Sequence, residues 1–183
     1  MVTVNPLPTI TGVQTVCIGS TTQFTGTATA NATNPYVSSN PAIATVNATG
    51  LVTGVATGTA TITYTNSNGC TATRTVTVNP LPVANAGADI SVCSNAVSGN
   101  LGTSTTAGYT YVWTPSTGLS STTTSNPTVT LLNAGTTPIT TTYTLSVTIT
   151  ATGCSATDAV VVTVNPLPTI TGVQTVCIGS TTQ

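Results

Sequence analysis

Residues Val2 to Gln23 return letter for letter as Val162 to Gln183, an offset of 160 residues (162 − 2). The first seven, Val-Thr-Val-Asn-Pro-Leu-Pro, occur a third time as Val76 to Pro82. Identity at a fixed period is the mark of a repeat array, in which each unit is one supersecondary block. The two intervals differ, 74 (76 − 2) and 86 (162 − 76), so the repeating unit is a pair of unlike modules. The expected boundaries are 1–4 as the end of a preceding module's last strand, 5–78 as module A and 79–164 as module B. Residues 165–183 then begin the next copy of module A.

Helix signals are missing. No apolar period of 3.6 residues is sustained, and β-branched residues dominate. Alternation is strong instead: in Thr59 to Tyr64, Ala60, Ile62 and Tyr64 share one face and the threonines the other. Thr71 to Val78 continues it after the turn Asn66-Ser-Asn-Gly69. Module B repeats the plan with Thr141 to Thr150, the turn Ala151-Thr-Gly153, and Cys154 to Val164. Short strands at this spacing, punctuated by Gly, Pro and Asn, predict an all-β chain of tandem sandwiches, head to tail. Trp113 lies in an alternating strand with Tyr109 and Tyr111, and is expected in a core, as are Phe24, Tyr36 and Leu101.

Only Arg74, Asp89 and Asp158 carry side-chain charge, and there is no Lys or His. Threonine, about a quarter of the chain, must wet the surface instead. A nucleic-acid or anionic-membrane partner needs clustered cations, so neither is expected. No apolar run approaches the ~18 residues needed to span a bilayer. Nucleophilic catalysis lacks a base, acid–base chemistry lacks a close pair of titratable groups, and neither zinc nor calcium finds its donor pattern. No enzyme activity, cofactor or metal is expected. Arg74 and Asp158 each stand four residues after a cysteine (74 − 70, 158 − 154). Solvated strand starts are the plain reading of both; a lateral pair between staggered chains is the sharper one.

The segments Ser39 to Val46, Gly50 to Gly54 and Gly58 to Tyr64 resemble bacterial Ig-like domains of group 2. In module B, Pro82 to Asp89, Tyr111-Val-Trp-Thr-Pro115, Gly118 to Ser120 and Asn126-Pro127 look like PKD-like domains of large Bacteroidota surface adhesins, without the acidic residues of ordinary PKD domains. The resemblance implies modules of cell-surface stalks, adhesins or fibres. The expected role is mechanical, a segment of an extracellular filament whose partners are further copies of itself, with lateral self-association as an extension. The alternative is an adhesin module binding glycan or protein through its loops.

The five cysteines, at corresponding points of each module, favour an oxidising compartment. Counting alone pairs Cys17 with Cys70 and Cys93 with Cys154, leaving Cys177 for a partner elsewhere. Ig-like topology favours staples between modules instead: Cys17 and Cys93 at exit poles, Cys70 and Cys154 at entry poles. Cys17 would then bond Cys154, and Cys93 the Cys70 equivalent of the following copy. The junctions themselves, Asn5-Pro6-Leu-Pro8, Asn79-Pro80-Leu-Pro82 and Asn165-Pro166-Leu-Pro168, fix two φ angles each and read as short extended connectors.

Overall fold

The computed structural model describes residues 4–31 and 33–168, so Cys177 and the rest of 169–183 lie outside the described residues. The chain is all-β, an Ig-like arrangement of sandwiched sheets, with no helix among the described residues. Two compact units are distinguished. The first is Met1–Ala84 with Thr106–Tyr111 and Ser146–Thr157; the second is Asn85–Thr105, Val112–Leu145 and Asp158–Gln183.

Nine strands build the first sandwich: β1 (Ile10–Thr11), β2 (Thr15–Cys17), β3 (Thr21–Gln23), β4 (Thr25–Gly26), β5 (Tyr36–Ser38), β6 (Ala44–Val46), β7 (Leu51–Gly54), β8 (Gly58–Thr65) and β9 (Thr71–Asn79). One sheet runs β2-β9-β8-β5, the facing one β3-β7-β6, and β1 pairs with β4 at the side. The β8–β9 hairpin is its spine, antiparallel from Gly58↔Val78 to Thr65↔Thr71. The alternation read from the sequence places Ala60, Ile62 and Tyr64 inward, opposite Phe24, Ala44 and Val52 of the other layer. Gly26 has no side chain because the Tyr64 ring lies against it; a Cβ there would collide with that ring.

Among the described residues, the remaining strands are β10 (Ile90–Cys93), β11 (Tyr109–Thr114), β12 (Ile139–Ile149) and β13 (Ser155–Asn165), in the sheet order β10-β13-β12-β11. Tyr143, Leu145 and Val147 on β12 and Val160, Val162 and Val164 on β13 are buried at every second position. Trp113 is also buried, and its indole N–H donates to the Thr124 carbonyl at 2.9 Å. In this second sandwich the layer opposite that sheet is irregular among the described residues: it supplies Leu101 and Val129 and is tied by the isolated bridges Val97↔Thr130 and Leu119↔Val129. Buried hydroxyls and amides replace strand hydrogen bonds here: Val129 N–H donates to Ser98 Oγ at 2.8 Å, and Asn133 N–H to Ser94 Oγ at 2.9 Å.

Two phenols carry a pH signature. Burial raises the pKa of Tyr64 above the ordinary 10.0, with the neighbouring Tyr36 adding to it, and burial alone raises that of Tyr143. Each is hydrogen-bonded as a neutral donor, Tyr64 to the Ala28 carbonyl at 2.8 Å and Tyr143 to the Thr117 carbonyl. An acid whose folded pKa exceeds its unfolded one gives full stability below the unfolded value and loses it as pH rises beyond. Stability should therefore fall as pH rises past about 10, and Tyr64→Phe should flatten that fall while costing about 1 kcal/mol at neutral pH. Urea melts across the alkaline range check this; an alkaline slope identical in Tyr64→Phe and the parent would contradict it.

Candidate functional site

The groups with chemical potential lie at the two ends of the long hairpins. At one end, β2 runs parallel to β9, with Thr15↔Thr77, Val16↔Val78 and Cys17↔Asn79 in register. The Ile18 N–H donates to the Asn79 carbonyl at 3.1 Å, and the next residue is Pro80. The second sandwich repeats this feature: β10 runs parallel to β13, Cys93 stands opposite Asn165, and Ser94 N–H donates to the Asn165 carbonyl at 2.8 Å. In both, a cysteine ends the strand that flanks the departing chain.

At the other end are the hairpin turns. Asn66, buried, folds its turn by accepting from the Asn68 and Cys70 N–H groups at 3.0 and 2.9 Å. Gly69, at φ 78°, makes the left-handed step before Cys70, and Gly153, at φ 73°, makes the same step before Cys154. Cys70 and Cys154 thus immediately precede β9 and β13, whereas Cys17 and Cys93 close β2 and β10.

Cys17 is bonded to Cys154 with Cα atoms 5.6 Å apart, within the usual span of a disulfide. Both belong to the first unit, which includes the Ser146–Thr157 tip of the β12–β13 hairpin. The pairing reached by counting alone is corrected here: Cys17 sits at the Asn79 end of β9 and Cys70 precedes its other end, roughly 30 Å away at ~3.3 Å per residue. Cys93 and Cys154 are likewise at opposite ends of β13. A bond closing a separation of 137 residues removes enough unfolded-chain entropy to contribute about 5 kcal/mol. Cys70 and Cys93 carry free thiols among the described residues, the first half-buried and the second exposed.

Arg74 and Asp158 are both turned onto the backbone of their own sandwich. Arg74 Nη1 donates to the Ile10 carbonyl at 3.4 Å, and its Cζ lies 6.0 Å from the Phe24 ring centroid. Asp158 Oδ2 accepts from the Ala86 N–H at 2.8 Å. Ile10 and Ala86 are equivalent, each seven residues before its cysteine (17 − 10, 93 − 86). One position therefore clamps the incoming chain to the last strand in both sandwiches, by a cation on a carbonyl in one and an anion on an N–H in the other. Asp89, absent from the sequence-derived site residues, adds a second clamp by accepting from Val161 N–H at 2.8 Å. A lone carboxylate a fixed distance before a strand gives no hint in sequence that it binds backbone.

Among the connectors, Pro8 and Pro82 are buried while Leu7, Leu81 and Leu167 are exposed. An open depression of about 350 Å³ beside β5 and β6, lined by Asn34, Tyr36, Val37, Ser38, Pro41, Thr45 and Val46, contains no charged side chain. Among the described residues no three His, Cys, Asp or Glu side chains converge as metal ligands.

The fold is that of Ig-like modules, and residues 2–79 match the family model described as bacterial Ig-like domain (group 2). The solved structures similar to the chain include domains 4 and 5 of the S-layer protein SbsC, at 20% identity over 81% of this chain and 82% of that one, with a TM-score of 0.33. Human protocadherin-24 EC1-2 is similar at 14% identity over 91% and 100% of the two chains, with a TM-score of 0.33. A longer SbsC fragment is similar at 18% identity and a TM-score of 0.35, covering 87% of this chain and 27% of that one. No curated protein sequence matches the chain.

The clamps differ in what they satisfy. Removing the Asp158 carboxylate leaves the N–H of fully buried Ala86 without a partner, whereas Arg74 Nε is itself buried and unpaired. Asp158→Ala should cost about 1.5–3 kcal/mol, and Arg74→Met should stay within about 1 kcal/mol of the parent. Denaturation midpoints of the two variants decide; a larger loss for Arg74→Met would overturn the assignment of these roles.

Proposed function

We propose that this chain is a structural segment of an extracellular filament or surface stalk, in which the two Ig-like modules alternate head to tail and transmit tension. The observation that carries the reading is the repeated exit: Cys17 beside Asn79 and Cys93 beside Asn165, each followed by the same Pro-Leu-Pro. An end built twice to the same pattern suits a device that must be joined to its like, and a binding tip has no need of it. The domain division 5–78 and 79–164, with 1–4 and 165–183 belonging to neighbouring copies, is part of this proposal.

The disulfide supports a location outside the cytosol. The charge-poor, threonine-rich surface supports a role that calls for inertness rather than electrostatic recognition. Partners are then further copies of the same array. Sideways association would run through threonine-bearing strand edges, since Arg74 and Asp158 are already engaged on their own backbones.

Strands of 11 residues such as β12 and β13 span about 36 Å at ~3.3 Å per residue. Two modules with their proline connectors should advance about 70–85 Å when nearly straight, and less in a zigzag. Electron micrographs of isolated surface material should show an axial repeat in that range. A compact particle without periodicity near two module lengths would sink the filament reading in favour of the loop-binding adhesin.

A further inference from the structure

We propose that Cys93 of one copy forms a disulfide with Cys70 of the following copy, so that two kinds of disulfide alternate along the array. The proposal rests on the array reading above, and its partner is a second copy of this chain's first sandwich. The Cys17–Cys154 bond joins a cysteine beside a departing strand to a cysteine at a β-hairpin turn. The same two positions recur with the sandwiches exchanged. Cys93 matches Cys17, because each faces the Asn of an Asn-Pro exit across a parallel strand pair. Cys70 matches Cys154, because each follows a left-handed glycine and precedes the last strand of its sandwich. Neither Cys93 nor Cys70 is bonded among the described residues, and Cys93 is exposed beside the exit.

The spacing supports the exchange. From hairpin cysteine to exit cysteine the chain runs 23 residues across both junctions, 93 − 70 and 177 − 154. Each interval contains a last strand and an Asn-Pro-Leu-Pro connector, and Cys177 is the sequence repeat of Cys17. With only the Cys17–Cys154 type of bond, alternate junctions would be crossed by a single backbone. With both types, every junction is crossed twice, once by backbone and once by a disulfide. Two covalent threads then run the length of the array, each alternating a 23-residue stretch with one disulfide.

The bond requires an oxidant, a protein or low-molecular-weight disulfide of the oxidising compartment. The Cys93 thiolate attacks one donor sulfur and expels the other as a thiolate; the Cys70 thiolate then attacks the Cys93 sulfur and expels the first. One cysteine disulfide forms, the donor's disulfide is reduced to two thiols, and the two cysteine protons end on them.

The test uses the full chain with the repeat continued, residues 24–168 being appended after Gln183, produced in an oxidising compartment. Cys70→Ser in the first copy and Cys93→Ser in the appended copy make the informative peptides unique. After alkylation and non-reducing peptic mapping, Cys93 should be recovered linked to the appended Cys70, with no alkylated cysteine. Recovery of Cys17–Cys154 in the same digest certifies that the modules have folded. An alkylated Cys93, or Cys93 bonded to any other cysteine, overturns the proposal. The axial repeat of native material is a separate readout: a regular two-module period together with an alkylated Cys93 would end this staple and leave the array standing.

Discussion

The rest of the structure depends on the parallel pairing of an early strand with the last, β2 with β9 and β10 with β13. Parallel neighbours cannot be joined by a tight turn, so everything between them must cross over and return. In the first sandwich that crossover is β3 through β8, which supplies the second sheet and most of the core. The pairing also fixes where the cysteines stand. It sets Cys17 and Cys93 beside the asparagines at which the chain departs, and it leaves the opposite ends of β9 and β13 to Cys70 and Cys154. The charged clamps serve the same contact, since Arg74 and Asp158 hold Ile10 and Ala86 to the last strands.

How much of this could be read in advance follows from strand length. β8, β9, β12 and β13, of 8, 9, 11 and 11 residues, are long enough for period-two burial to show, and their turns carry Asn-Gly or Thr-Gly. β1 to β4, of two or three residues each, carry no period, so the early break by which the chain passes from β1 to β2 was invisible. The irregular stretches of the second sandwich were equally silent. Their order comes from buried Ser94, Ser98 and Asn133, whose side chains stand in for ladder hydrogen bonds. Polar residues in a Ser-, Thr- and Asn-rich chain give no sign of which ones will be buried.

The candidate site was legible in part for a related reason. Cysteine positions are conspicuous, and strand direction limits which pairs can meet. The roles of the charges were not legible. Solvated strand starts and a lateral pair are both compatible with the sequence, whereas in the structure both side chains bind backbone groups of equivalent residues. Opposite charges can occupy one position because a peptide offers both a carbonyl and an N–H.

Mechanically, the Cys17–Cys154 bond means that tension applied along the chain need not pass through the residues between them. Load entering at Cys17 crosses the disulfide and continues from Cys154 along β13, leaving the 136 residues between the two cysteines (154 − 17 − 1) shielded. Single-molecule stretching of the oxidised chain between its ends, repeated after reduction, tests this most directly. Reduction should add about 450–490 Å of contour, at ~3.3–3.6 Å per residue over the separation of 137. An oxidised chain that already extends to the reduced contour would contradict it.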